Sequence, residues 1–127
     1  MSLIARSRGV LLAVLSGAVL SSLTWPDVAA AAGYGTLADC VRQSGAVMYT
    51  ASWCPACRAQ RKQFRGYANR LKTVECSVGG KKAKTRAACD SMNIKSYPTW
   101  VFADGSSVEG FLSIEALAGR TGCALPD

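Results

Sequence analysis

Two cysteines separated by two residues, set between an apolar run and an amphipathic one, constrain this chain more than any other feature. Residues 46–50 (AVMYT) are apolar, β-branched and aromatic, the pattern of a short buried strand. Trp53-Cys54-Pro55-Ala56-Cys57 follows two residues later. Beyond it Cys57, Gln60, Phe64, Tyr67, Ala68 and Leu71 recur at helical spacing, and Arg58, Arg61, Lys62 and Arg65 recur on the opposite face. This pattern predicts a helix from 54 to about 71, weakened or kinked at Gly66. Pro55 suits its first turn, where a missing N–H costs nothing.

A C-x-x-C that leaves a strand and opens a helix is the context a redox motif requires. Free N–H groups and the helix dipole at such an end stabilise an anion. Cys54 is therefore expected to have a depressed pKa and to be the attacking thiolate, with Arg58 four residues on adding positive charge. Cys57, one turn further in on the face that carries Phe64, is expected to be less exposed and to resolve a mixed disulfide on Cys54. Other readings of the motif stay open. A closed zinc site needs four ligands; the chain has no His, and Cys76 and Cys89 are far apart in sequence. A Cu(I) carrier is the alternative in another functional class, because Cu(I) accepts two thiolates. A purely structural bond across so short a loop would constrain little of the unfolded chain. No resident metal or cofactor is expected. The absence of His also excludes Ser-His and Cys-His nucleophile pairs.

The N-terminus reads as a targeting segment. Residues 1–8 carry Arg6 and Arg8 and no acid, residues 9–20 are continuously apolar, and Pro26 precedes the small residues of 28–32. That is the order of a secretory signal, with cleavage expected after Ala30, Ala31 or Ala32. The alternative is an uncleaved anchor, although the apolar stretch is shorter than the ~20 residues that span a bilayer. Export to the periplasm or another extracytoplasmic compartment is expected. It agrees with six Cys in 127 residues, all beyond residue 32. The domain expected at 33–127 is a single one.

Along that domain a helix is expected over 36–45, capped by Thr36 and stopped by Gly45. Strands are expected at 46–50, 72–76, 99–103 and 107–110, with Asp104-Gly105 turning the last pair into a hairpin. A short helix is expected over 85–92, and Ser113 caps another over 114–118 that ends at Gly119 or Gly122. Helices between strands imply parallel pairing, with helices on both faces and an antiparallel hairpin at the end. Tyr97-Pro98 heads the third strand. Pro is tolerated there in any case, and the sharper reading is a cis peptide beside the cysteines that leaves Tyr97 backbone groups free for an extended substrate.

Strand, WCPAC, helix, then Tyr-Pro before a hairpin and a final helix resembles the thioredoxin superfamily across about 36–123. GAVMYTASWCPAC, SYPTW and SIEALAGRTGC are most similar to the thioredoxin-like domain that accompanies bacterial and plant vitamin K epoxide reductase homologues. The resemblance implies a glutaredoxin-sized α/β fold with a mixed sheet of about four strands. It implies dithiol–disulfide exchange with protein thiols, Cys54 as nucleophile, Cys57 as resolving thiol and Pro98 as a cis-proline. It also implies a quinone-linked membrane oxidase or reductase as partner, expected to be a separate protein. The chain departs from thioredoxins in having Pro-Ala between the cysteines and Met48 at the depth of their buried acid, so no internal carboxylate is evident for the Cys57 proton.

Fixing Cys54–Cys57 leaves three pairings of the other cysteines. From their places in the elements, Cys76–Cys89 and Cys40–Cys123 are expected as structural bonds, with Cys76–Cys89 as a second redox pair the alternative. The chain carries a net charge of +7. The cationic stripe on the redox helix is either a solvated face or an attractor of acidic partners or anionic lipid. Nucleic acid is not an expected partner, since no recognition motif interleaves aromatics with the bases, and the domain is expected to act as a monomer. Trp53 is expected to shield the nucleophile or to join the core; Trp100, Phe102 and Phe111 read as core or sheet face.

Overall fold

A computed structural model describes residues 33–81 and 84–127. The expected signal or anchor at 1–32, and Lys82 in the basic loop, lie outside the described residues. Helix α1 spans Tyr34–Gln43, strand β1 Val47–Ala51, helix α2 Pro55–Lys62 and strand β2 Thr73–Ser77. Helix α3 spans Ala87–Asp90, strands β3 and β4 Thr99–Val101 and Ser107–Glu109, and helix α4 Ile114–Thr121. Gly33, not Thr36, caps α1, which starts two residues before the expected turn. Ser113 caps α4 as expected, its Oγ accepting the Ala116 N–H at 3.2 Å, and Gly122 ends that helix.

The sheet is ordered β2-β1-β3-β4. Strands β1 and β2 are parallel, with Met48 opposite Thr73 and Thr50 opposite Glu75, and β3–β4 is the antiparallel hairpin. The parallel expectation does not extend to β3, which runs antiparallel to β1 although a helix precedes it. The reason is length. Helix α3 has four residues, a rise of about 6 Å, too little to return the chain to the start of β1. The chain therefore enters β3 at the end where β1 finishes, with Tyr97 O 3.4 Å from Cys54 Sγ, and must run back.

Alternation along β1 sends Met48 and Tyr49 to opposite faces. On one face Met48 and Trp100 pack with Leu37 and Val41 of α1, Leu117 of α4, and Phe64 and Leu71. On the other, Tyr49 packs with Cys76, Cys89 and Ile94, so helices cover both faces. Helix α2 is shorter than expected. It ends at Lys62, and Arg65 (φ +46°) and Gly66 (φ +94°) turn the chain through left-handed conformations. Only glycine adopts that geometry without cost. A 3-10 turn at Ala68–Arg70 then returns Leu71 to the core. Phe64 and Leu71 thus share a core at helical spacing without sharing a helix. Tyr67 is exposed and packs against Gly35 of α1, and Arg65 leaves the cationic stripe to lie over the Tyr34 ring at 4.8 Å. Phe111, read as core or sheet face, is 49% exposed because it follows β4 on the loop into α4.

Candidate redox site at the head of the second helix

The site is built where β1 stops. After Ala51 the chain turns, and Cys54 adopts an extended conformation (φ −79°, ψ 115°) as the N-cap of α2, with Pro55 in the first turn. An N-cap side chain normally offers oxygen to the unpaired N–H groups of the first turn. Here sulfur does so: Cys57 N–H points at Cys54 Sγ at 3.1 Å. Cys54 and Cys57 are joined as a disulfide with Cα atoms 5.3 Å apart. Both are buried, Cys54 at 3% and Cys57 at 1% exposure, so what sets Cys54 apart is its place at the helix mouth.

Two neighbouring segments frame the pair. On one side the Tyr97-Pro98 bond is cis, and the Tyr97 ring meets Trp53 edge-on at 5.9 Å. On the other side the end of β2 holds the turn before Cys54. Ser52 N–H donates to Glu75 Oε1 at 2.6 Å, and Trp53 Nε1–H donates to Ser77 Oγ at 3.1 Å. Ser77 Oγ in turn donates to Gly80 O at 3.2 Å, and Lys81 Nζ lies 5.7 Å from the Trp53 ring centre. Met48 is fully buried below, as its position in the strand implied. Arg58 is exposed one turn beyond Cys54, and its N–H donates to Cys54 O at 3.3 Å.

Glu75, Ser77 and Gln60 were not singled out by sequence reasoning. Glu75 and Ser77 reach the site through strand register, which includes an irregularity between Thr50 and Ala51 that no local pattern encodes. Gln60 did carry a signal: an amide on the apolar face of the redox helix needs a partner. It is fully buried, donates to Leu112 O at 2.9 Å and accepts the Leu112 N–H at 2.8 Å. Gln63 adds a second pair, donating to Leu112 O at 2.7 Å and accepting from Ile114 N–H at 3.1 Å. Gly110 N–H then donates to Pro98 O at 2.7 Å, tying the same loop to the cis turn.

The other four cysteines are bonded to one another and not to the pair at the helix mouth. Cys76 and Cys89 are bonded to each other, β2 to α3, and Cys40 to Cys123, α1 to the end of α4. A cleft of about 390 Å³ lies at the far end of α2, lined by Lys62, Gln63, Arg65 and Glu115 among others, so the cysteine pair lies outside it. Among the described residues no group of three or more His, Cys, Asp or Glu could hold a metal ion, and no helix is long and apolar enough to cross a membrane.

A four-stranded mixed sheet with helices on both faces, one opened by a C-x-x-C disulfide, is a thioredoxin-like arrangement. No family model matches the chain. It is 37% identical over 92 residues, 70% of its length, to the thiol-disulfide oxidoreductase LTO1 of Arabidopsis thaliana. The matched stretch is 24% of that protein, so the chain spans about a quarter of its relative's length.

Proposed function

We propose that this chain is a thiol–disulfide oxidoreductase acting on protein cysteines through Cys54 and Cys57. The observation that carries the reading is the Cys57 N–H directed at Cys54 Sγ at the opening of α2. It gives the sulfur at the helix mouth a donor that favours its thiolate, the form that attacks and the form that leaves. The name of the Arabidopsis relative supports the same chemistry.

In the oxidising direction a substrate thiolate attacks Cys54 Sγ and displaces Cys57 as thiolate. A second substrate thiolate then attacks the substrate sulfur of the mixed disulfide and releases Cys54. The substrate gains a disulfide, and its two electrons remain on the Cys54–Cys57 dithiol. In the reducing direction Cys54 thiolate attacks a substrate disulfide, and Cys57 thiolate then attacks Cys54 Sγ to free the reduced substrate. The Tyr97 carbonyl oxygen lies 3.4 Å from the sulfur that bears the mixed disulfide, and Trp53 and Tyr97 pack against the cysteine pair. The Cys76–Cys89 bond is a staple in this reading: it ties β2 to α3, and neither of its sulfurs caps a helix as Cys54 does.

Export through the segment at 1–32 fits three disulfides among the described residues, which persist in oxidising compartments. A separate quinone-linked membrane protein, suggested by the resemblance to domains that accompany vitamin K epoxide reductase homologues, would supply or remove the electrons. The direct test is Cys57→Ser. It is expected to accumulate covalent mixed disulfides on Cys54 that dissolve on reduction. Stoichiometric Cu(I) binding by the native dithiol, with no mixed disulfide on the variant, would replace the enzyme reading with a metal carrier.

A further inference from the structure

Two basic stretches that are separate in sequence border the mouth of α2. The first is the outer face of α2, where Arg58 is exposed and Arg61 half-buried. The second is the segment after β2. Lys81 Nζ lies 5.7 Å from the ring centre of Trp53, the residue before Cys54, and Lys84 and Arg86 are exposed further along the segment. Arg86 N–H donates to Cys76 O at 2.9 Å, which brings the segment back to the end of β2 beside the site.

The acids nearest these arms are outnumbered: Glu75 beside Ser52 and Asp90 one turn after Arg86 stand against Arg58, Arg61, Lys81, Lys84 and Arg86. Asp39 pairs with Arg70 at 2.7 Å, and Glu75 accepts the Ser52 N–H. Asp104 is held by Ser106 in the hairpin turn, Glu109 lies on β4 at the far edge of the sheet, and Asp90 ends α3. Glu115 shares the remote cleft with Lys62 and Arg65, which leaves the uncompensated charge at the Arg58–Arg61 end of the stripe.

We propose that these two arms select cysteines carried in acidic segments of polypeptide. This inference rests on the exchange chemistry proposed above and names its substrate class. One arm reaches Trp53, the residue before Cys54, and the other begins at Arg58, one turn after it, which suits a strand of chain crossing the helix mouth. A membrane surface would need only net charge and no such placement. Charge of one sign lining a reactive site raises the encounter rate of opposite charge by ~10- to 10³-fold, and salt removes the gain.

The test uses the reduced full chain and two peptide disulfides that differ only in Glu or Lys flanking the cysteines. Neutral 2-hydroxyethyl disulfide serves as the reference. The expected ratio of rates, acidic over basic peptide, is about 10 at low ionic strength and falls toward one at ~1 M salt. Lys81→Glu alone is expected to lower that ratio, and Lys81→Glu with Arg61→Glu to bring it below one. Reading the ratio within each variant cancels any change in intrinsic thiol reactivity. A ratio of one at low salt, with the neutral disulfide consumed, overturns the selectivity and leaves the exchange chemistry standing. If the neutral disulfide is not consumed either, the exchange reading itself fails and takes this one with it. A ratio of one combined with salt-sensitive binding to vesicles of phosphatidylserine and phosphatidylcholine would assign the arms to a membrane and overturn the proposal.

Discussion

Cys54–Cys57 joins residues three apart at the mouth of a helix, whereas Cys76–Cys89 and Cys40–Cys123 join residues 13 and 83 apart. A bond across a short loop removes little entropy from the unfolded chain, on the order of 2 kcal/mol, so its maintenance adds little to the fold. The longer closures contribute about 3 and about 4.6 kcal/mol before any strain. Surroundings follow the same division. Cys54 Sγ receives a backbone N–H and lies 3.4 Å from the Tyr97 carbonyl oxygen at a helix N-terminus, while Cys76 and Cys89 pack with Tyr49 and Ile94 in the second core. Under the proposed function, the domain keeps its exchangeable bond where opening it disturbs the fold least.

The largest effect that would break this division is on stability. Replacing Cys40 and Cys123 together by Ala is expected to lower the unfolding free energy by about 4–5 kcal/mol in a denaturant titration. A loss no larger than that of Cys54→Ala with Cys57→Ala would erase the distinction. Next, replacing Cys76 and Cys89 by Ala should cost about 3 kcal/mol while the mixed disulfide still forms at Cys54. Loss of exchange in that variant, with the fold intact by circular dichroism, would make Cys76–Cys89 a working redox pair. Mild reductant followed by thiol counting sharpens the point: two thiols are expected from the native chain, and four would place one staple among the exchanging bonds.

How much of this was visible beforehand depends on range. The N-cap role of Ser113, the Asp104-Gly105 turn and the strand-to-helix setting of Cys54 are local, and residues within a few positions decide them. The end of α2 was misread because Phe64 and Leu71 keep helical spacing while the chain between them passes through Arg65 and Gly66 in left-handed conformations. The direction of β3 turned on the shortness of α3, whose ends were set too wide at 85–92. Glu75 and Ser77 became neighbours of the site only once β1 and β2 had a register.

A smaller effect comes from the loop between α2 and the cis turn. Gln60→Ala removes a fully buried side chain that partners the half-buried Leu112 N–H and is expected to cost about 1–3 kcal/mol by thermal or denaturant unfolding. Smallest is an acid dependence at the hairpin. Hydrogen bonds from the Ser106 hydroxyl and N–H hold the Asp104 carboxyl below its ordinary pKa of 3.8. Its contribution is therefore present above that value and lost as pH falls through the lower folded one. Asp104→Asn should remove that increment from the acid unfolding curve and leave exchange at Cys54 unchanged.

The tie through Gly110 and Leu112 has a consequence for how the domain tolerates change in length. Gly110 is bonded to Pro98 and Leu112 to Gln60 and Gln63, so a single residue, Phe111, spans the gap between the cis turn and the redox helix. That one-residue span acts as a gauge for the slot between Tyr97 and Cys54. An insertion beside Phe111 would lengthen that span and shift the cis turn relative to Cys54.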